Sequence, residues 1–128
     1  MENRRHTSGV TPAYSYVPAV NNARRALVNG VQSLQQVSYV RWPNGRELFL
    51  KYPNALVVLG FGLNNRGDVA GDIWVDGAVT YCGFLRKTSG KFEIFNYPGV
   101  GADGTGMQIM AINDKREIVG GYSISETD

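Results

Sequence analysis

RWPNGRELFLKYPNA (residues 41–55) lies over RKTSGKFEIFNYPGV (86–100) without a gap. Arg41 matches Arg86, Gly45 matches Gly90, and Tyr52-Pro53 matches Tyr97-Pro98. After a short insertion, GLNNRGDVAGD (62–72) corresponds to AINDKREIVGG (111–121). One structural unit is therefore written twice, and a period of this size points to a solenoid, a propeller or an array.

Working outward from the repeat, hydrophobicity alternates with period two from Val37 onward, and turn signals recur. Asn44-Gly45, Asp76-Gly77 and Ser89-Gly90 separate alternating runs, and each supplies a glycine able to take the positive φ of a tight hairpin. Asn64–Gly67 and Asn113–Arg116 read as longer loops opened by an Asn that bonds its own backbone. The expected strands cover 37–42, 46–51, 56–62, 68–75, 78–86, 91–96, 107–112 and 117–124. The fold class is thus all-β: two four-stranded antiparallel blade-like repeats over 37–128, propeller-like or closed into a small barrel. A four-stranded blade has two apolar faces and needs neighbours, so several copies are expected to assemble. The final segment, EIVGGYSISETD, is expected to pair with VSYVRW at the front. Within one chain that pairing closes a barrel; between chains it makes a head-to-tail ring.

The front of the chain reads differently. Residues 1–18 mix Ser, Thr, Gly and charge around Pro12 and Pro18, the composition of an extended arm. Over 19–36, Ala23, Leu27, Val31 and Leu34 recur at helical spacing, which predicts a short helix capped by Asn21 or Asn22. Residues 1–36 then form an arm and helix ahead of the β domain.

The motif Gly62-Leu63-Asn64-Asn65-Arg66-Gly67-Asp68-Val69-Ala70-Gly71, then Cys82-Gly83-Phe84-Leu85 and Tyr97-Pro98-Gly99, resembles the bacterial HAF repeat of extracellular proteins. Its second copy runs from Ala111 to Gly120, with Arg116 replacing the turn glycine, and Cys82 of the first stands where the repeat often has histidine. The resemblance spans about residues 37–123 and implies two degenerate copies in a propeller-like or stacked β architecture. It implies no reaction.

Composition narrows function mainly by exclusion. With one histidine, His6, and one cysteine, Cys82, no nucleophile–base pair is assembled from rigid elements. GVGADGTG (99–106) lacks the Lys-Ser/Thr of a phosphate loop, leaving a glycine-rich connection or binding loop. Asp68, Asp72 and Asp76 lie ~13 Å apart in succession along one strand, too far to share a metal, and are expected to form a solvent-facing acidic row. No enzymatic activity, cofactor or metal is expected. No apolar run is long enough to span a bilayer, and MENRRHTSGVTP lacks the apolar stretch of a secretory signal, so a cytoplasmic or particle-associated location is expected.

Charge is uneven: residues 1–51 carry seven Arg/Lys against Glu2 and Glu47, while the remainder carries six against nine acidic residues. The leading expectation is a self-assembling, non-enzymatic β-repeat binding or scaffolding protein with a protein partner. A nucleic-acid-associated protein using the basic N-terminal half is the first alternative. A carbohydrate-binding module using aromatic strand ends is the second. Candidate partner-binding residues are Arg4, Arg5, Tyr14, Tyr16, Trp42, Trp74 and Tyr81.

Overall fold

A computed structural model describes residues 14–78, 80–96 and 107–122. Every regular element among them is a strand. Strands β1 (Tyr14–Val20), β2 (Ala26–Gln32), β3 (Gln35–Arg41) and β4 (Glu47–Phe49) form one antiparallel sheet in sequence order. A second four-stranded sheet follows the same plan with β5 (Ala55–Leu63), β6 (Val69–Val75), β7 (Cys82–Arg86) and β8 (Phe92–Phe95). A third sheet comprises β9 (Met107–Ile112) and β10 (Ile118–Tyr122). The sheets pack in series. β1, β2 and β3 rest on β5, and β5, β6 and β7 rest on β9 in the same way.

All eight strands expected from Val37 onward are present, but the helix over 19–36 is not. Residues there finish β1, turn, form β2, turn again and enter β3. Gln32 pairs with Gln35, and both intervening residues take positive φ, Ser33 at 51° and Leu34 at 66°. Leu34, the last member of the expected helical stripe, instead projects into solvent at a hairpin tip. Pairing of β2 with strands on both sides, with Leu27 and Val28 buried, overrides a helical spacing that rested on four residues. The arm before Tyr14 and the 99–106 loop lie outside the described residues.

Sheets and sequence repeats are out of phase by two strands. β3 and β4 join β1 and β2, rather than β5 and β6 as the repeat alone suggested. VSYVRW consequently holds no free edge: β3 is bonded to β2 on one side and β4 on the other. The pairing expected between it and the C-terminal segment is ruled out, and the described sheets do not close into a barrel.

The hairpins follow their turn residues. Gly45 (φ 93°) donates to the Trp42 carbonyl, and Gly90 (φ 100°) donates to the Lys87 carbonyl, so the repeated turn is one structure made twice. The main core lies between the first two sheets, where Leu27, Val40 and Leu50 meet Val58, Leu63, Val69, Ile73 and Phe84. Tyr52 and Phe92 extend it, their rings 5.0 Å apart. Cys82 is half-buried against it. No helix among the described residues is long and apolar enough to cross a membrane.

Each sheet carries a bulge in its first strand at the same place, around Val17-Pro18, at Phe61 and at Met110. The extra residue pushes backbone toward the partner strand. Opposite the second bulge, a Cβ on Gly71 would stand 1.9 Å from the Leu59 carbonyl oxygen; at Gly120, its counterpart, the distance to the Gln108 oxygen would be 2.3 Å. Gly121, one residue on, faces open space. Gly71→Ala is therefore expected to cost about 3 kcal/mol or more through backbone displacement. Gly121→Ala should shift the urea midpoint by a small fraction of that. Equal midpoints for the two variants would contradict the bulge geometry.

Candidate functional site

Three turns connect the first two strands of each sheet, and all three are built on an asparagine. Asn21, Asn64 and Asn113 each accept two backbone N–H bonds on the side-chain oxygen: from Ala23 and Arg25, from Arg66 and Asp68, and from Lys115 and Glu117, all at 2.9–3.0 Å. The asparagine carbonyl takes the N–H of Arg24, Gly67 or Arg116, and these three residues share a positive φ of 63°, 89° and 65°. Asparagine suits this place because its short amide supplies an acceptor within reach of its own turn.

The amide's other end ties the sheets together. Asn21 Nδ2 donates to the Asn64 carbonyl at 3.0 Å, and Asn64 Nδ2 donates to the Asn113 carbonyl at 3.0 Å. The next residue repeats the pattern. Asn22 N–H donates to Asn65 Oδ1, and Asn65 N–H donates to Asp114 Oδ1, each at 2.7 Å. Asn65 Nδ2 adds a bond to Asp114 Oδ2, and these two donors hold the Asp114 carboxyl below the usual range. A ladder of asparagine side chains thus runs along one edge of the molecule from sheet to sheet.

A second set of contacts crosses deeper between the sheets. Asn29 Nδ2 donates to the Gly60 carbonyl at 2.8 Å, and Gly60 N–H donates to Ser38 Oγ at 3.0 Å. One sheet further on, Asp72 holds the place of Asn29 and accepts the Ile109 N–H at 2.9 Å. Asp72 and Asp68 are buried, which corrects the expected solvent-facing acidic row; of the three, Asp76 is exposed. Their sheet packs on neighbours through both faces, so β6 is an inner strand rather than an outer one.

The two buried carboxylates meet opposite fates. Asp68 has no solvent exposure, and burial pushes its pKa up. Bonds from Arg116 Nε (2.9 Å), Asn64 Nδ2 (2.8 Å) and Thr88 N–H (3.0 Å), with the Arg116 charge, outweigh that and hold it below the ordinary value. For Asp72, burial dominates over the single Ile109 bond and raises the pKa to about 6.

Of the residues singled out in the sequence, Arg4 and Arg5 lie outside the described residues, and Tyr14 opens β1. Tyr16 is exposed and its hydroxyl accepts from Asn29 Nδ2 at 3.3 Å. Trp74 and Tyr81 meet at 5.5 Å, and Trp74 Nε1 donates to the Ala78 carbonyl. Trp42, on the first sheet, lies under two guanidinium groups, Arg25 at 4.8 Å and Arg46 at 4.3 Å from its centroid. The structure thus brings Trp74 to Tyr81, and Trp42 to arginines that sequence reading had not singled out. The ladder itself was missed in its first member. The signal was Asn21-Asn22, which stands before Ala26-Leu27 as Asn64-Asn65 stands before Val69-Ala70. No group of acidic, His and Cys side chains among the described residues is placed to hold a metal.

No protein-family model, curated protein or solved structure matches this chain.

Removing the central rung should be far worse than removing the outer one. Asn64→Ala breaks four buried or half-buried bonds. It is expected to cost about 3 kcal/mol, against about 1 kcal/mol for the exposed Asn113→Ala. Chemical denaturation compares them directly. A pH effect follows from Asp72, whose folded pKa of about 6 lies above the ordinary value of 3.8. Its burial penalty is present in full above that folded pKa and is relieved as pH falls toward the ordinary value. Asp72→Asn keeps the acceptor for Ile109 and should raise the melting temperature at about pH 7.5, with less gain at about pH 5. A gain that does not depend on pH would assign the effect to packing instead.

Proposed function

We propose that this chain is a non-enzymatic β-repeat scaffold that assembles head to tail with copies of itself, giving a propeller-like stack of sheets. The ladder carries this reading, because its two ends are complementary. Each rung donates toward the following sheet, from the Asn Nδ2 and from the backbone N–H of the next residue. Among the described residues, the Asp114 N–H and one hydrogen of Asn113 Nδ2 have no acceptor, Glu117 taking the other. At the opposite end, again among the described residues, the Asn22 side-chain oxygen and the second lone pair of the Asn21 carbonyl have no donor. The third sheet of one copy therefore offers what the first sheet of another accepts.

Apolar surface at the two ends supports the same partner. Val20 is 62 % exposed, whereas Leu63, at the same place in the second sheet, is 7 % exposed. Val119 is 61 % exposed, whereas Ala70, its counterpart, is fully buried. Val17 extends the first surface, and Met110 extends the second. The two surfaces differ, so the contact is heterologous, and such contacts make rings or open filaments.

Light scattering and sedimentation at micromolar concentration are expected to show a discrete multimer. Val20→Lys and Met110→Lys, each at an exposed position, should each shift it toward monomer while leaving circular dichroism unchanged. A wild-type chain that sediments as a folded monomer under these conditions overturns the proposal.

A further inference from the structure

The ladder makes the two junctions between sheets equivalent, so differences between them are informative. At the junction of the second and third sheets, an ion pair lies beneath the rung: Asp68 meets Arg116 at 2.9 Å. At the junction of the first and second sheets, Arg25 occupies the place of Asp68, and Gly67 occupies the place of Arg116. The carboxylate has become a guanidinium, and the guanidinium has become a glycine. Arg25 Nη1 lies 3.1 Å from where a Gly67 Cβ would stand, so the arginine leans into the space that the missing side chain leaves.

That space is a cleft of about 310 Å³ lined by Arg25, Trp42, Arg46, Gly67, Arg86 and Thr88. Among the described residues its third arginine, Arg86, has no carboxylate partner, for a reason visible in the repeat. Arg41 faces Glu47 across the hairpin and forms an ion pair with it at 2.8 Å. Arg86, the matching residue of the next sheet, faces Phe92. The polar contact of its guanidinium among the described residues is a long one, Nη1 donating to the Lys87 carbonyl at 3.4 Å. Burial lowers the pKa of Arg86, as expected of a cation with poor compensation. The nearby carboxylates are committed elsewhere: Glu47 to Arg41, Glu93 to Lys87 and Asp68 to Arg116.

We propose that this cleft binds a small molecule carrying a diphosphate group, held by Arg25, Arg46 and Arg86 beside Trp42. Three like charges around one cavity repel one another, and a polyanion relieves that repulsion. Guanidinium forks match phosphate oxygens in pairs, and three of them match a diphosphate better than a single phosphate. The volume suits a compact ligand rather than a groove that follows a nucleic-acid strand. This inference is independent of self-assembly, since it concerns a junction within one chain.

The probe is inorganic pyrophosphate, titrated calorimetrically into the full chain. Saturable one-to-one binding is expected. Arg46→Met, at an exposed position, and Arg86→Met should each weaken it about tenfold or more. Lys115→Met removes the same charge away from the cleft and should leave it unchanged. If Arg86→Met fails to fold, Arg46→Met carries the comparison alone. Absence of binding overturns the proposal, as does equal weakening in Arg46→Met and Lys115→Met, which would make the effect one of net charge. Inorganic phosphate binding as tightly as pyrophosphate overturns the diphosphate assignment. Single-stranded DNA that binds more tightly than pyrophosphate and displaces it overturns the small-molecule assignment in favour of a strand backbone.

Discussion

One amide group does two jobs in this molecule, and most of the architecture follows from that. The asparagine oxygen satisfies the N–H groups of its own turn, while the asparagine nitrogen reaches the carbonyl of the next turn. Local chain reversal and packing between sheets are thereby set by the same side chain. A buried polar group is expensive unless it is satisfied, so each rung fixes both the shape of its turn and the distance to its neighbour. Hydrophobic contact between sheets would tolerate sliding; a row of directed bonds does not.

Below the ladder the junctions are free to vary, and they do. The same two positions hold Asp68 and Arg116 at one junction, and Arg25 and Gly67 at the other. The deeper contact varies as well, with Asn29 and Ser38 at one and Asp72 at the other. Asp72 bonds the backbone at the place equivalent to Gly60, yet it accepts the Ile109 N–H where Asn29 donates to a carbonyl, and burial raises its pKa to about 6. Geometry is kept from sheet to sheet within the chain while charge is exchanged.

The strands from Val37 onward were legible because period-two alternation and glycine turns agree there. Asn44-Gly45 and Ser89-Gly90 sit where the chain reverses, and the residues flanking them alternate cleanly. The first two strands were not legible. Their turn has Arg24 at the positive φ where the second sheet has Gly67, and their hairpin tip is Ser33-Leu34 where the second sheet has Asp76-Gly77. With both glycines missing, the loudest remaining signal was a chance helical spacing. The phase of the sheets was hidden for a different reason. A repeat identifies which segments are alike, and says nothing of which segments pair. Of the candidate site, Trp42 was found as an aromatic at a strand end, but the arginines around it come from three separate turns and strands and meet through packing between sheets.

The two-strand offset between repeat and sheet has a consequence for how such a chain grows. One sequence repeat delivers the last two strands of one sheet and the first two of the next. A duplication cut at that boundary inserts no self-contained block. Each added copy is half of an old sheet and half of a new one, sewn across the seam by the covalent chain itself. Lengthening and joining are then a single genetic event, and a recombination that slips by two strands yields sheets assembled from halves that never evolved together.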